Sequence, residues 1–188
     1  MSVPFKDADE LIELGTAGFL KIECTEEGKG FLGAFFIVNA KGEPVEFTYN
    51  RIDTPNIFLW RKDDIRRHAS KKLATSLFAL CKDTPRLILC LAQEIDSEVF
   101  SQDLQLSIPV CRLAPAIEAV EFSDAEVRDS VEAHDMQNAF WSPDKPNEES
   151  IEHRLFAALV SRGLLLEPFS RASIGLREVF AKQPTNAG

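Results

Sequence analysis

Residues 31–38, Phe-Leu-Gly-Ala-Phe-Phe-Ile-Val, restrict the possible folds of this chain more than any other segment. Successive residues of a β-strand point to opposite faces, and this run is apolar on both alternations, which is typical of a central strand covered on both sides. Residues 39–44 carry turn residues at both ends, and residues 45–51 then alternate between apolar and polar side chains. The sequence therefore predicts a β-hairpin whose first strand lies inside a sheet.

Other segments predict the rest of this sheet and a helix that covers it. Residues 19–24 alternate as a half-buried strand does, residues 57–60 predict a short strand, and residues 86–92 predict a buried one. Residues 106–113 contain a proline, which lacks a backbone donor and therefore predicts an edge strand. Residues 63–82 have apolar side chains at helical spacing, so we expect one helix to pack across the sheet.

The pattern changes at residue 114 from strands to helix and loop. Ser123-Asp-Ala-Glu126 has the capping-box pattern that begins a helix, and residues 148–162 and 171–182 carry helical apolar stripes. The fold class that follows is α+β, with a mixed or antiparallel sheet of about five strands and one helix across it in residues 1–113. Residues 114–188 are then a helical region that is docked on this sheet domain, projects from it, or forms one domain with it.

Composition and the N-terminal sequence point to a soluble, cytoplasmic, globular protein, since 45% of the residues are hydrophobic and 27% are charged. The N-terminal residues show no basic flank followed by an apolar block, and the longest apolar run is far shorter than the roughly 20 residues of a membrane helix. The four cysteines lie in apolar sequence with no C-x-x-C pair. We therefore expect buried, reduced thiols rather than disulfides or zinc ligands.

Positive charge is concentrated in residues 51–87, which hold 9 Lys and Arg against 4 Asp and Glu in a chain of net charge −9. Cations neutralise phosphates with little sequence preference, and an adjacent aromatic ring can stack on an unpaired base. The main interpretation is a non-catalytic binding or assembly module, without a cofactor, whose basic helix face contacts nucleic acid or an acidic protein partner. The candidate residues of the basic helix face are Trp60, Arg61, Arg66, Arg67, Lys71 and Lys72. The opposing interpretation is a tryptophan in the core and an ordinary solvated helix face.

Acidic residues near strand ends support a second interpretation. Three strands, a helix and a further strand, in that order over residues 18–96, resemble the first half of a ribonuclease H-like nuclease fold. The resemblance implies that Glu23 on the first strand, with Glu94 or Asp96 after the later strand, would hold Mg²⁺ for phosphodiester cleavage. The first strand carries Glu23 where that family usually has aspartate. The alternative function is therefore a divergent metal-dependent nuclease, which requires these three carboxylates to converge.

Motifs that would identify a nucleophile or a metal site, such as G-x-S-x-G and H-E-x-x-H, do not occur in the sequence. The sequence therefore leaves enzymatic activity undecided and favours a non-catalytic binding function. A third interpretation is a structural subunit that pairs with a second copy or another chain through apolar helix faces. The residues of those faces would be Ile151, Leu155 and Leu159, or Val127 and Val131.

Overall fold

The computed structural model describes residues 9–54 and 57–182, and seven strands in this part of the chain form one sheet. The strands are β1 (Thr16–Cys24), β2 (Gly30–Asn39), β3 (Pro44–Asp53), β4 (Leu87–Leu91), β5 (Val110–Pro115), β6 (Val127–Glu132) and β7 (Met136–Ser142). Their order across the sheet is β3-β2-β1-β4-β5-β7-β6. The neighbours β1, β4 and β5 run parallel, and the other neighbouring pairs run antiparallel. The predicted α+β class with a mixed sheet is confirmed, but the predicted count of about five strands is wrong.

Helices cover both faces of the central strands. The α-helices of the described residues are α1 (Asp9–Ile12), α2 (Lys62–Leu80), α3 (Ile151–Ser161) and α4 (Glu167–Ala181). On one face, Leu73 and Leu77 of α2 pack into a core with side chains of β1, β2 and β4. On the other face, Leu155 of α3 and Phe169 of α4 pack into a second core. Burial on both faces accounts for the unbroken apolar run in residues 31–38.

The predicted hairpin is formed by β2 and β3, with one register irregularity near its turn. Two glycines allow close packing around it. A Cβ atom at Gly33 would lie 3.1 Å from Leu73 and Leu77, so α2 lies directly against β2. A Cβ atom at Gly18 would lie 2.2 Å from the ring of Phe35, which therefore covers β1 at that point. Large side chains thus pack closely over glycines on the inner strands.

The strands after residue 109 overturn two predictions. The predicted edge strand is β5, which lies inside the sheet between β4 and β7. The region predicted to be helical from residue 114 contains β6 and β7, which pair antiparallel. The predicted boundary between residues 113 and 114 falls within β5. Status as an edge or inner strand depends on partners from distant sequence, and a local proline pattern does not reveal them.

The capping-box residues close a turn but do not begin a helix. The backbone N–H of Ser123 donates to Glu126 Oε2 at 3.0 Å, as in a capping box. The same carboxylate accepts from Arg112 Nε at 2.6 Å and Nη2 at 2.9 Å. Burial opposes the charged form of Arg112, but its hydrogen bond to Glu126 and the charge of Glu126 outweigh this, and the pKa of Arg112 is raised. This buried ion pair fixes the turn against β5, and the chain continues as β6.

Smaller differences concern single segments. Residues 57–60, predicted as a strand, contain a 3-10 turn at Ile57–Leu59. A π-helical turn lies at Val99–Asp103, between β4 and β5. Cys90 and Cys111 are buried as predicted, whereas Cys24 is exposed. Across the described residues, no helix combines the length and apolarity needed to cross a bilayer.

The apolar faces proposed for self-association are occupied in part within the chain itself, whereas Ile151 and Val127 are exposed. Leu155 and Leu159 of α3 are fully buried in the core against the sheet. Val127 and Val131 lie on strand β6 rather than on a helix. The expectation that helix faces mediate self-association is therefore unsupported.

Candidate functional site

A charged cluster lies where the parallel strands β1 and β4 end. Lys21 and Glu23 follow Phe19 at two-residue spacing on β1, so they lie on the face that α4 covers. Pairing between β1 and β4 ends at Leu20 and Cys90. Two residues later, the Ile22 N–H donates instead to Glu94 Oε2 at 3.1 Å. The carboxylate of Glu94 thus accepts a backbone hydrogen bond from β1 beyond the point where the β4 backbone pairs with it.

The ammonium of Lys21 lies between two carboxylates. Lys21 Nζ donates to Glu94 Oε1 and lies 3.7 Å from Glu23 Oε1. Ser173 of α4 donates its hydroxyl hydrogen to Glu23 Oε1. The side chains of Lys21 and Glu94 are only 13% and 11% exposed, so solvent screens their attraction poorly. We call Lys21, Glu23, Glu94 and Ser173 the Lys21 cluster.

Burial changes the acidity of one member of this cluster. Burial raises the pKa of Glu94 above its ordinary value, and the nearby charge of Glu23 adds to this effect. The hydrogen bonds from Lys21 and Ile22 and the charge of Lys21 lower the pKa of Glu94 only in part. Glu94 therefore binds a proton more readily than an exposed glutamate does.

Two residues of the Lys21 cluster, Lys21 and Ser173, line a cleft of about 330 Å³ between the sheet and α4. Polar side chains of the cleft include Lys21, Gln93, Gln137, Ser170 and Ser173, and apolar ones include Leu91, Leu113, Leu166 and Phe169. This mixture can contact both a charged group and an apolar ring.

The structure brings together two of the three predicted carboxylates. Glu23 and Glu94 meet at Lys21, whereas Asp96 accepts a hydrogen bond from Arg66 of α2. In residues 9–54 and 57–182, no three His, Cys, Asp or Glu side chains form a group that could hold a metal ion. The condition that Glu23, Glu94 and Asp96 converge, which the metal-dependent alternative requires, is therefore not met in the described residues.

Sequence reasoning missed Lys21 and Ser173. Lys21 was recognisable in principle, because it lies two residues from Glu23 and shares its strand face. Ser173 is 150 residues from its partner Glu23, and nothing near it in the sequence indicates the contact.

The basic helix face is largely neutralised by carboxylates. Arg67 donates from Nε and Nη2 to Asp103, each at 2.7 Å, and this bonding raises the pKa of Arg67. Arg61 is paired with Asp64, and Arg66 with Asp96. Lys71 and Lys72 are exposed, and the half-exposed ring of Trp60 lies 5.1 Å from the ring of His68. Helix α2 covers the sheet face opposite the Lys21 cluster.

The arrangement of β1, β2, β3, α2, β4 and β5 defines the class of fold. Three antiparallel strands are followed by a helix across the sheet and by two strands parallel to β1. This order and direction of strands matches the arrangement that the order of elements in the sequence resembled, and the Lys21 cluster lies at the strand ends.

Comparison with solved structures agrees with this class. An endonuclease V from Bacillus subtilis matches with a TM-score of 0.57 and 10% sequence identity, over 90% of this chain and 82% of that chain. An endonuclease V from Streptomyces avermitilis matches with a TM-score of 0.55 and 14% identity, over 89% of this chain and 82% of that chain. No protein-family model and no curated protein matches the sequence. At these identities, the likeness shows the fold alone.

This finding corrects the main functional expectation. A non-catalytic binding or assembly module that uses the basic helix face was expected, but the chain has the fold of the endonuclease V structures. The arginines of that face are also paired with Asp64, Asp96 and Asp103. The expectation is therefore wrong, and the likeness in fold agrees better with the alternative interpretation.

Proposed function

We propose that this chain is a divergent ribonuclease H-like nuclease that acts on nucleic acid at the Lys21 cluster. The observation that carries the proposal is the position of Lys21, whose ammonium contacts Glu94 and Glu23 beside the cleft at the ends of β1 and β4. Ligands of sheets with parallel strands bind outside the carboxyl ends of those strands. The similar structures are endonucleases, which supports nucleic acid as the substrate class.

The residues present do not fit the Mg²⁺ that this fold class implies. When bound, Mg²⁺ would supply positive charge at the phosphate and an activated water, held by several oxygen ligands. Glu23 and Glu94 are the carboxylates at this position, and the ammonium of Lys21 already contacts both. No third carboxylate joins them among the described residues. We therefore assign no step to a metal ion.

The residues of the cluster have the groups that phosphodiester hydrolysis requires. A lysine ammonium has three N–H donors, and one of them is used in the hydrogen bond to Glu94, so a donor is left for a phosphate oxygen. Positive charge beside the phosphate stabilises the charge that develops on its oxygens. The raised pKa of Glu94 makes it a better proton acceptor than an exposed glutamate.

The proposed reaction is balanced without a further reactant. A water oxygen forms a bond to phosphorus, Glu94 accepts the proton that this water releases, and the bond from phosphorus to the leaving sugar oxygen breaks. The leaving oxygen takes a proton from Lys21. Transfer of a proton from Glu94 to Lys21 then restores both side chains, so that one water is consumed for each bond broken.

A cleavage assay with matched variants tests the proposal. End-labelled single-stranded and duplex DNA, RNA and RNA–DNA hybrid are incubated with the protein, in Mg²⁺ and in EDTA. We expect wild type to cut at least one substrate, and Lys21→Met and Glu94→Gln to lower the rate about 100-fold. Lys29→Met is the control, because Lys29 is exposed in the loop between β1 and β2. Circular dichroism verifies that every variant is folded.

Two results would contradict the proposal. If folded wild type cuts none of the substrates, the chain is not a nuclease of this kind. If both variants cut as fast as Lys29→Met, the chemistry does not take place at the Lys21 cluster.

A further inference from the structure

We infer that Lys21 is a built-in cation that takes the place of a divalent metal ion at the ends of β1 and β4. The cluster then excludes Mg²⁺ and Mn²⁺, and the positive charge of Lys21 is present at any concentration of these ions. This inference concerns metal binding and holds whether or not the chain cuts nucleic acid.

The first argument is the bonding of the carboxylates. Glu94 Oε1 accepts from Lys21, and Glu94 Oε2 accepts from the Ile22 N–H at 3.1 Å. Glu23 Oε1 accepts from Ser173 and lies 3.7 Å from Lys21 Nζ. Three of the four carboxylate oxygens are therefore already engaged. A hard cation, which needs about six oxygen ligands, would have to break these contacts.

The second argument is charge. With both carboxylates ionised, the ammonium reduces the charge of the cluster from −2 to −1. A divalent ion at the same carboxylates would lie within a few ångströms of the ammonium, in a place where solvent screens the repulsion poorly. The ammonium would have to leave before the ion entered.

The third argument is the cost of moving the ammonium of Lys21. Its side chain is only 13% exposed, and that of its partner Glu94 is 11% exposed. Moving the ammonium away would also leave Glu94 without its cation in a buried position, which is unfavourable. The geometry therefore holds the ammonium where a metal ion would otherwise bind.

Exchange of the lysine for an acid tests this inference directly. Binding of Mn²⁺ is measured by electron paramagnetic resonance and by the shift of the thermal unfolding midpoint. Wild type should show no Mn²⁺ binding at the cluster, whereas Lys21→Asp should bind the ion through three carboxylates. At a Mn²⁺ concentration 100-fold above the dissociation constant, the midpoint should rise by about 5 to 10 °C.

Two controls assign the binding to the cluster. Lys21→Asp combined with Glu94→Gln should lose the gained site, and Lys29→Asp, on an exposed loop, should not gain one. If Lys21→Asp does not fold, Lys21→Ser is measured instead, because serine removes the ammonium without adding a charge.

The inference is overturned by either of two results. In one, wild type binds Mn²⁺ and Glu94→Gln abolishes that binding. In the other, no folded Lys21 variant gains Mn²⁺ binding, and the ammonium is then not what excludes the ion. Neither result depends on nuclease activity, so failure of this inference is distinct from failure of the proposed function.

Discussion

Replacement of Lys21 by methionine should destabilise the protein most strongly at neutral and alkaline pH. Methionine keeps the length and apolar stem of lysine but removes the ammonium, which leaves the carboxylate of Glu94 buried without its cation. Breaking a buried ion pair by removing one partner costs about 3 to 5 kcal/mol. Because this pair retains some exposure, we expect a loss of about 3 kcal/mol in the free energy of unfolding at pH 8.

The sign of the pH dependence follows from the pKa of Glu94. Burial already raises this pKa above 4.5 in the folded wild type, and Lys21 is one of the groups that lower it. Without Lys21, the folded-state pKa of Glu94 rises further. A group with a raised folded-state pKa contributes stability below its unfolded pKa and loses it as pH rises through the folded pKa. The difference between wild type and Lys21→Met should therefore be small near pH 4.5 and grow as pH increases.

Urea unfolding of both proteins at several pH values between 4.5 and 8 measures this difference. In thermal unfolding, the same loss of about 3 kcal/mol corresponds to a fall of about 6 to 12 °C in the midpoint temperature for a chain of this size. Lys29→Met is the matched control, and its stability should follow wild type at every pH because Lys29 is exposed. A deficit for Lys21→Met that is constant with pH would refute the assignment of Glu94 as the titrating group.

Three further changes test other parts of the structure. Arg112→Met should lower the free energy of unfolding by about 4 kcal/mol, measured by urea unfolding, because a buried carboxylate loses its counterion. Gly18→Ala should cost about 2 kcal/mol in the same assay, since the new Cβ would lie 2.2 Å from the fully buried ring of Phe35. Lys71→Glu combined with Lys72→Glu should leave the cleavage rate unchanged, because α2 covers the sheet face opposite the Lys21 cluster; a loss equal to that of Lys21→Met would contradict this placement.

Much of the N-terminal fold was predictable because its pattern is local. The apolar run in residues 31–38 requires cover on both faces, and the structure supplies α2 on one face and α4 on the other. The prediction of α2 itself was accurate, since it runs Lys62–Leu80 where residues 63–82 were expected. The hydrophobic period of a helix or strand, and the turn residues that end it, lie within the segment itself. These elements can therefore be predicted from local sequence.

The C-terminal half was less predictable because distant contacts override local pattern. The turn at Ser123 makes a capping-box hydrogen bond, but Arg112 of β5 holds Glu126 and the chain continues as a strand. The proline before β5 suggested an edge strand, yet β7 pairs along its other side. In both cases, a partner from elsewhere in the chain decides the outcome.

The candidate site was predictable only in part. The order of strands suggested a site of Glu23 with Glu94 or Asp96, and in the structure Glu23 and Glu94 both lie beside Lys21. Asp96 is not part of the cluster, because its carboxylate pairs with Arg66 of α2. Interpretation of Glu23 and Glu94 as metal ligands overlooked the lysine two residues before Glu23, although strand periodicity places both on one face.

Titration of ¹⁵N-labelled protein with a short phosphorothioate oligonucleotide, which resists cleavage, tests the central claim most directly. The Ile22 amide donates to Glu94 and therefore reports on any ligand that disturbs the Lys21 cluster. We expect the amide resonances of Ile22 and Glu94 to move on titration, and to stay in place in Lys21→Met. Shifts confined to Lys71 and Lys72 on α2, or no shift at saturating oligonucleotide, would contradict the account.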